Sequence, residues 1–447
     1  MMVRRSRFAG LALVLGLAGA ALSVACGGSD GVSCDASGTG TLVVNVVGLP
    51  AGVNANVTVT GPSGAPQSLS AGKTLTGIAG GSYTIAAEKV TSPDPIVRTV
   101  YSATISVSGP TCVATGATQT VTVTYAPIPT SNKIWVQTSN GPDGRNTVGI
   151  SSSGLAATGA PSAAAAVDTP NGRHVVFDRD GNLWSNGGTT VDPHVVRSSA
   201  ASLASTGKAT PDRKINIKGL EYCSGDVALA FDKTGALWFG ASCTKSLYKL
   251  APDQLAASGD YTPALTITVG SGIVGLAFDK TGNLWVGTGD SVVRYDASSL
   301  ASSSATKSLE LKAETQNPGG SPLHPGWLAF DASGNLWSND FGGNIIFQFP
   351  AAELSGSASK TIVPPALPTL QVGALIQGMA FDEGGGLWIT YSQGKFVRLT
   401  QALLAVTTNG GAPTQPERII SSPQVNYTED LAFYPAPAAL PLYSALP

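Results

Sequence analysis

Residues 274–285 read Val274-Gly275-Leu276-Ala277-Phe278-Asp279-Lys280-Thr281-Gly282-Asn283-Leu284-Trp285, and the fold is decided by the fact that the chain repeats this phrase. Val176-Phe177-Asp178 leads to Leu183-Trp184, and Ala230-Phe231-Asp232 leads to Leu237-Trp238. Ala329-Phe330-Asp331 leads to Leu336-Trp337, and Ala380-Phe381-Asp382 to Leu387-Trp388. In every copy Trp follows Phe by seven residues, and successive Phe positions differ by 54, 47, 52 and 51. Recurrence at this period marks an array of equivalent supersecondary units.

The phrase predicts a β-hairpin. Val274, Leu276 and Phe278 alternate onto one face of a strand, with Gly275 and Ala277 on the other. Asp279 to Asn283 then turns the chain, the Asp carboxylate capping its own turn and Gly282 supplying the left-handed position. Leu284-Trp285-Val286 begins the returning strand. A third strand such as Val292-Val293-Arg294-Tyr295 follows, then a Leu-Ala-Ser type of loop. A fourth strand such as Leu265-Thr266-Ile267-Thr268 closes the unit. Four antiparallel strands in about 50 residues make one blade of a β-propeller.

A sixth Phe stands at Leu431-Ala432-Phe433, 52 residues beyond Phe381, but no Trp follows it. Conversely, Ile134-Trp135-Val136 is a returning strand that lacks its outgoing one. Pairing these two orphans predicts a six-bladed propeller over 133–435, closed by its N- and C-terminal strands so that no edge stays free. The phrase Ala-Phe-Asp-x-x-Gly-Asn-Leu-Trp resembles the six-bladed NHL, streptogramin-lyase and gluconolactonase-like propellers. That resemblance implies a fold, and it implies either a binder or an enzyme, because both occur among such propellers.

The N-terminus has the features of an export signal. Arg4, Arg5 and Arg7 precede an apolar run from Phe8 to Leu22, which is too short to span a bilayer comfortably. Ser23-Val24-Ala25-Cys26-Gly27-Gly28 resembles a bacterial lipoprotein signal. The resemblance implies cleavage after residue 25, lipidation of Cys26 and anchorage in the cell envelope, at the outer membrane or cell surface. Residues 26–40 read as a flexible tether. Over 41–126, β-branched runs such as Leu42-Val43-Val44-Asn45-Val46 and Val121-Thr122-Val123-Thr124-Tyr125 alternate with Gly/Pro/Ser turns, predicting an N-terminal β-sandwich. Its segment Leu75 to Ile85 resembles carboxypeptidase-regulatory-like domains. Residues 127–132 are a Pro-containing linker and 436–447 a Pro-rich tail, so the predicted fold class is all-β throughout.

With Cys26 committed to lipid, Cys34, Cys112, Cys223 and Cys243 remain, an even number in an oxidising compartment. Cys34 and Cys112 flank the sandwich, and Cys223 and Cys243 flank one blade hairpin, so the expected pairs are Cys34–Cys112 and Cys223–Cys243. No Cys-x-x-Cys or His pair suggests zinc.

Charged residues are 12% of the chain, about half the usual fraction, and the net charge is −2. That composition argues against nucleic-acid binding, which requires a clustered basic excess, and against disorder, which requires few apolar residues. Asp178-Arg179-Asp180-Gly181-Asn182 looks superficially like a calcium loop. Leu183 and Thr189 stand where an EF-hand needs Gly and Glu, so it reads as a structural turn, and no metal site or cofactor is expected. No Gly-x-Ser-x-Gly, His-Glu-x-x-His or phosphate loop occurs.

The Asp-x-x-Gly turns repeat uniformly, whereas the loops of the opposite rim differ from blade to blade, which is what a recognition face allows. That rim supplies the ligand-binding candidates Asp143, Asn186, Glu221, His324, Trp327, Asn339, Asp340, Tyr391, Glu429 and Asp430. The function expected is a non-catalytic binding module for a glycan, peptide or protein. The alternative is a metal-dependent lactonase or lyase with acids at the channel mouth, using a divalent cation such as calcium.

Overall fold

The computed structural model describes residues 34, 37–91, 100–127, 133–141, 144–169, 172–189, 192–204, 207–220, 227–241, 243–315, 320–367, 375–382, 385–405 and 415–434. The predicted signal peptide, Cys26 and the Pro-rich tail lie outside them, as do the linker residues 128–132.

Each repeated phrase folds as the hairpin its chemistry dictates. In the 274–285 copy, Gly275–Phe278 pairs antiparallel with Leu284–Gly287, and Phe278 faces Leu284. The turn closes through Asp279 N–H to Asn283 O (3.0 Å) and Gly282 N–H to Asp279 O (2.9 Å), with Gly282 at φ 89°. Asp279 Oδ1 accepts the N–H groups of Thr281 and Asn283, while its Oδ2 accepts the indole N–H of Trp285 at 2.9 Å. The same indole bond joins Trp184 to Asp178, Trp238 to Asp232, Trp337 to Asp331 and Trp388 to Asp382. Spacing the Trp six residues after the Asp is therefore a hydrogen-bond requirement as well as a packing one. A buried indole N–H without a partner would be destabilising. The repeated Asn has its own task. The side-chain carbonyls of Asn182, Asn283 and Asn335 accept the N–H of Ala200, Ala297 and Ala351, tying the turn to the loop after the third strand.

Between Lys133 and Tyr434 the described residues form six sheets. One edge strand of each faces a central axis: Val175–Phe177, Val227–Phe231, Gly275–Phe278, Pro325–Phe330, Ile376–Phe381 and Thr428–Tyr434. Each touches the next in that order, and the last touches the first, so the sheets are blades of a closed propeller. Closure runs through the two orphans. Ile134, Trp135 and Val136 stand opposite Phe433, Ala432 and Leu431 in antiparallel register.

Aromatic rings join the blades. Trp184 meets Phe231 edge-on, Trp238 meets Phe278, Trp285 meets Phe330, Trp337 meets Phe381 and Trp388 meets Phe433, with centroids 5.9 to 6.3 Å apart. Each Trp contacts the Phe of the following blade, so the repeated pair is a wedge between neighbours. Such a pair contributes about 0.5–1.5 kcal/mol beyond the area it buries.

The outer edges show a device absent from the sequence reading. Gly207–Ala209 pairs in parallel with Ala165–Asp168 of the preceding blade, Gly259–Tyr261 with Arg213–Ile217, and Lys360–Ile362 with Leu309–Ala313. Each segment covers an edge that would otherwise expose unpaired backbone. A parallel bridge between Gly159 and Ile420 makes the same link across the closure. In the blade that starts at Pro325, three strands are described, and the fourth position is reduced to a bridge between Phe347 and Ala366.

In the N-terminal segment, Lys73–Ala79, Thr39–Val47, Thr118–Pro127, Val100–Ile105 and Val90–Thr91 form one sheet. Pro66–Leu69, Val57–Thr60, Gly81–Ala87 and Thr111–Val113 form a second. Leu42, Val44, Val57, Val59, Val121 and Val123 share one core between the two sheets. The first strand starts at Thr39, two residues earlier than the sequence boundary, because Thr39 and Gly40 already pair with Ala79 and Ile78. Cys34 is bonded to Cys112, as expected. Cys243 is also disulfide-bonded, and Cys223, its expected partner, lies outside the described residues.

Candidate functional site

The layer of the propeller that carries chemistry is found by counting back three residues from each repeated Phe. Those positions are His174, Ala228, Gly275, Trp327, Gly378 and Asp430. Alternation along a strand places them on the same side of the axial strands as the residues just before each Phe, which are Val176, Ala230, Ala277, Ala329, Ala380 and Ala432. All six of the latter line an axial cavity of about 140 Å³. The Ala of the Ala-Phe-Asp phrase thus keeps the channel open.

One layer up, the channel is bridged. His174 and Trp327 belong to blades on opposite sides of the ring, yet their rings stack across it at 4.1 Å between centroids with planes 27° apart. The three blades that contribute Ala228, Gly275 and Gly378 leave room for this pair. At Gly378 an added Cβ would lie 2.7 Å from Asp430 Oδ1, and at Gly275 it would run into the carbonyl of Gly326. The small residues are steric conditions of the layer.

Asp430 sits beside His174, its Oδ2 3.7 Å from His174 Nδ1, which is too far for a hydrogen bond. It accepts Val175 N–H on Oδ2 (3.0 Å) and its neighbour Leu431 N–H on Oδ1 (2.7 Å). Burial raises the Asp430 carboxyl to about 8, with the Glu429 charge adding to the rise and the two backbone donors opposing it. Burial likewise lowers His174 to about 3, helped by the adjacent Arg173 guanidinium. Both groups are therefore neutral at pH 7, and the stacked pair is an uncharged aromatic bridge.

Buried amides hold this layer in place. Asn186 Oδ1 accepts the N–H groups of Arg173 (2.9 Å) and His174 (2.8 Å). Asn339, at the equivalent position two residues after its own Trp, accepts Trp327 N–H at 2.8 Å. Both are fully buried within the strands Leu183–Thr189 and Leu336–Asp340. The expectation that they lie on rim loops is corrected: they clamp the residues that face the axis. Tyr391 also departs from its expected loop. It ends the strand Leu387–Tyr391, is 1% exposed and packs in the apolar core with Leu323, Ile346 and Phe347. Buried in this way it presents no polar surface to a ligand, and the same burial pushes its phenol upward.

His324 and Asp340 do come together, with Trp327 three residues on in the same strand entry. Asp340 Oδ1 accepts His324 N–H at 2.7 Å, and His324 Nδ1 donates to the carbonyl of Gly289 on the neighbouring blade at 2.8 Å. His324 is exposed, Trp327 and Asp340 are half-buried, and Phe341 beside them is 48% exposed. Glu429 is buried, with Oε1 3.9 Å from Arg173 Nε. Asp143 and Glu221 lie outside the described residues. His174 and Arg173 are absent from the candidates derived from loops. The position three before each Phe was the signal that could have found His174, because that column holds Ala or Gly in three copies and His, Trp or Asp in the others. Among the described residues no group of three or more His, Cys, Asp or Glu stands close enough to hold a metal ion.

No family profile and no curated protein matches the chain. Among solved structures it is similar to a streptogramin B lyase, at 15% identity over 52% of this chain and 67% of that one, with a TM-score of 0.37. It is also similar to virginiamycin B lyase from Staphylococcus aureus, at 14% identity over 70% of this chain and 88% of that one, with a TM-score of 0.36. A protein of unknown function from Bacteroides caccae aligns at 14% identity over 49% of this chain and 69% of that one, with a TM-score of 0.33. Likenesses this remote carry no activity over to this chain.

Proposed function

We propose that this chain is an exported, lipid-anchored envelope protein whose propeller is a non-catalytic binding module for a glycan, peptide or protein. The observation that carries the reading is the grouping of His324, Asp340 and Phe341 on one rim of the channel, next to Trp327, whose backbone the buried Asn339 clamps. Aromatic faces beside a carboxylate suit a sugar ring or a cationic side chain, and a rigid support lowers the ordering cost of binding. The anchor rests on the Cys26 motif. Cys26→Ser should move the protein from the membrane to the soluble fraction, because each buried methylene of a lipid contributes about 0.8 kcal/mol. Unchanged partitioning would reject that anchor.

The binding reading is tested by presenting the immobilised mature chain to arrays of glycans and of peptides. A Trp327→Ala/Asp340→Ala/Phe341→Ala variant should lose capture at least tenfold while melting within a few degrees of the parent. Capture that survives this change, but is lost on altering the 41–126 segment, would transfer the function to that segment.

A second reading, a metal-dependent lactonase or lyase, draws on the placement of His174 beside Asp430 in the layer that caps the axial cavity. A specific rise in melting temperature with calcium, saturating at micromolar concentration, would favour it.

A further inference from the structure

The axial cavity has features that the rim reading does not use. Its wall is a ring of five alanines and Val176, its volume is about 140 Å³, and its roof on one side is the stacked His174–Trp327 pair. An engineered apolar cavity of about 150 Å³ is dry and accepts benzene, so this chamber has the size for one six-membered ring. We propose that the chamber is a binding site for a small uncharged ring, the terminal group of a ligand that enters past Trp327.

Three observations give the occupant its chemistry. The six positions before each Phe present only Ala and Val side chains to the axis, so a ring buried among them gains the hydrophobic term. The roof is an aromatic pair, and aromatic rings favour a planar neighbour through edge or face contacts alike. The polar groups at the roof, His174 and Asp430, are held neutral by burial, so no charge in the chamber compensates an ionised guest. An anion or a cation of the same size would lose its hydration without a partner.

The hinge of entry is Trp327. Its backbone N–H is fixed by Asn339, while its half-buried side chain packs at the margin of the apolar core that holds Leu328 and Phe330 and reaches across the axis to His174. Rotation of this one side chain uncovers the chamber. His174 stays in place because Asn186 holds its backbone.

The proposal rests on the reading of the rim as a ligand entrance and narrows the ligand to one that ends in an uncharged ring. It is tested on the full mature chain with benzene and phenol as probes, and with benzoate and anilinium-type cations as charged controls. Benzene and phenol should raise the melting temperature by a few degrees, saturably in the millimolar range, and the charged controls should not. Ala277→Leu and Ala329→Leu each fill part of the chamber, and each should weaken probe binding more than tenfold. Trp327→Ala should speed probe exchange, read as line broadening or narrowing in ligand-observed NMR. Crystals soaked in bromobenzene should show bromine on the axis below Trp327, which decides the matter if a filling variant fails to fold. Wild-type protein that takes no benzene, filling variants that bind it unchanged, or bromine located elsewhere would each overturn the proposal. Loss of array capture in the rim variant with no benzene uptake would leave the rim reading standing and reject the chamber. Benzene uptake without array capture would do the reverse.

Discussion

Asp279 and Trp285 are joined twice, by the hairpin they flank and by a 2.9 Å bond from the indole N–H to Oδ2 of the carboxylate. Asp279→Ala should remove this bond and the four that Thr281 and Asn283 donate to the carboxylate from their backbones and side chains, leaving the buried indole unpaired, at a cost of about 2–3 kcal/mol. Trp285→Phe keeps the turn bonds and removes the donor, so its loss comes mainly from packing. Urea unfolding of both variants measures the two terms. A loss below about 0.5 kcal/mol for Asp279→Ala would show that the indole bond is incidental.

Acid should unfold the propeller through the same turns. Burial pushes the Asp279 carboxyl up, but the bonds from Trp285, Thr281 and Asn283 outweigh it, and the net shift is downward. Asp232 behaves alike. A carboxyl held below its unfolded value contributes stability that is present above that value and disappears as pH falls through the folded one. Melting temperature should therefore decline below about pH 4, and Asp232→Asn should flatten part of that decline.

His174 and Asp430 predict a different profile at higher pH. Asp430 titrates near 8 when folded and at its ordinary 3.8 when unfolded, so its contribution falls as pH rises through that interval. His174 titrates near 3 when folded and at 6.5 when unfolded, so its contribution rises with pH over that range. The two slopes cancel between about pH 4 and 6.5, and above that Asp430 alone acts, at up to about 1.4 kcal/mol per pH unit. Calorimetry should show a plateau and then a decline toward pH 8. Asp430→Asn, which keeps a neutral group there, should abolish the decline, and an unchanged decline would refute this account.

Ring closure depends on Thr428–Tyr434, the axial strand that pairs with Lys133–Gly141. Truncation before Glu429 should expose the apolar faces of two blades and convert one cooperative transition into a broad one. A truncated chain that melts like the parent would show that the closure contributes little.

The Cys34–Cys112 bond closes a loop of 78 residues. In the chain-entropy model such a loop contributes about 4 kcal/mol. Cys112→Ser should lower the stability of the N-terminal sheets by a comparable amount and leave the propeller transition in place, which separate tryptophan-monitored and far-ultraviolet melts can resolve.

Much of the fold was legible because its determinants are local. Phe, Asp, Gly, Asn and Trp act within one stretch of eight residues, and the indole bond, the capped turn and the hairpin all follow from that spacing. The pairing of Trp135 with Ala432 was legible for a related reason, since an unpaired edge strand at each end of a repeat array has one partner that removes both edges. The parallel segments on the outer edges were not legible. Gly207–Ala209 and its counterparts have no patterned side chains and are selected by the unpaired backbone beside them.

The site divides along the same line. Residue order alone determined which rim varies, and it brought His324, Trp327 and Asp340 into view. It also placed Tyr391 and two asparagines on loops, because the second strands run past the point where alternation becomes readable. Only the closed ring decided the chemistry of the axis. His174 and Trp327 are 153 positions apart and meet because blades three steps apart face each other across a channel whose other members are Ala228, Gly275, Gly378 and Asp430. Local spacing specifies a hairpin, since its partners are covalently close. The neighbours across a channel are set by how many blades close the circle and by the register of each axial strand, and these arise from packing between units, not within one.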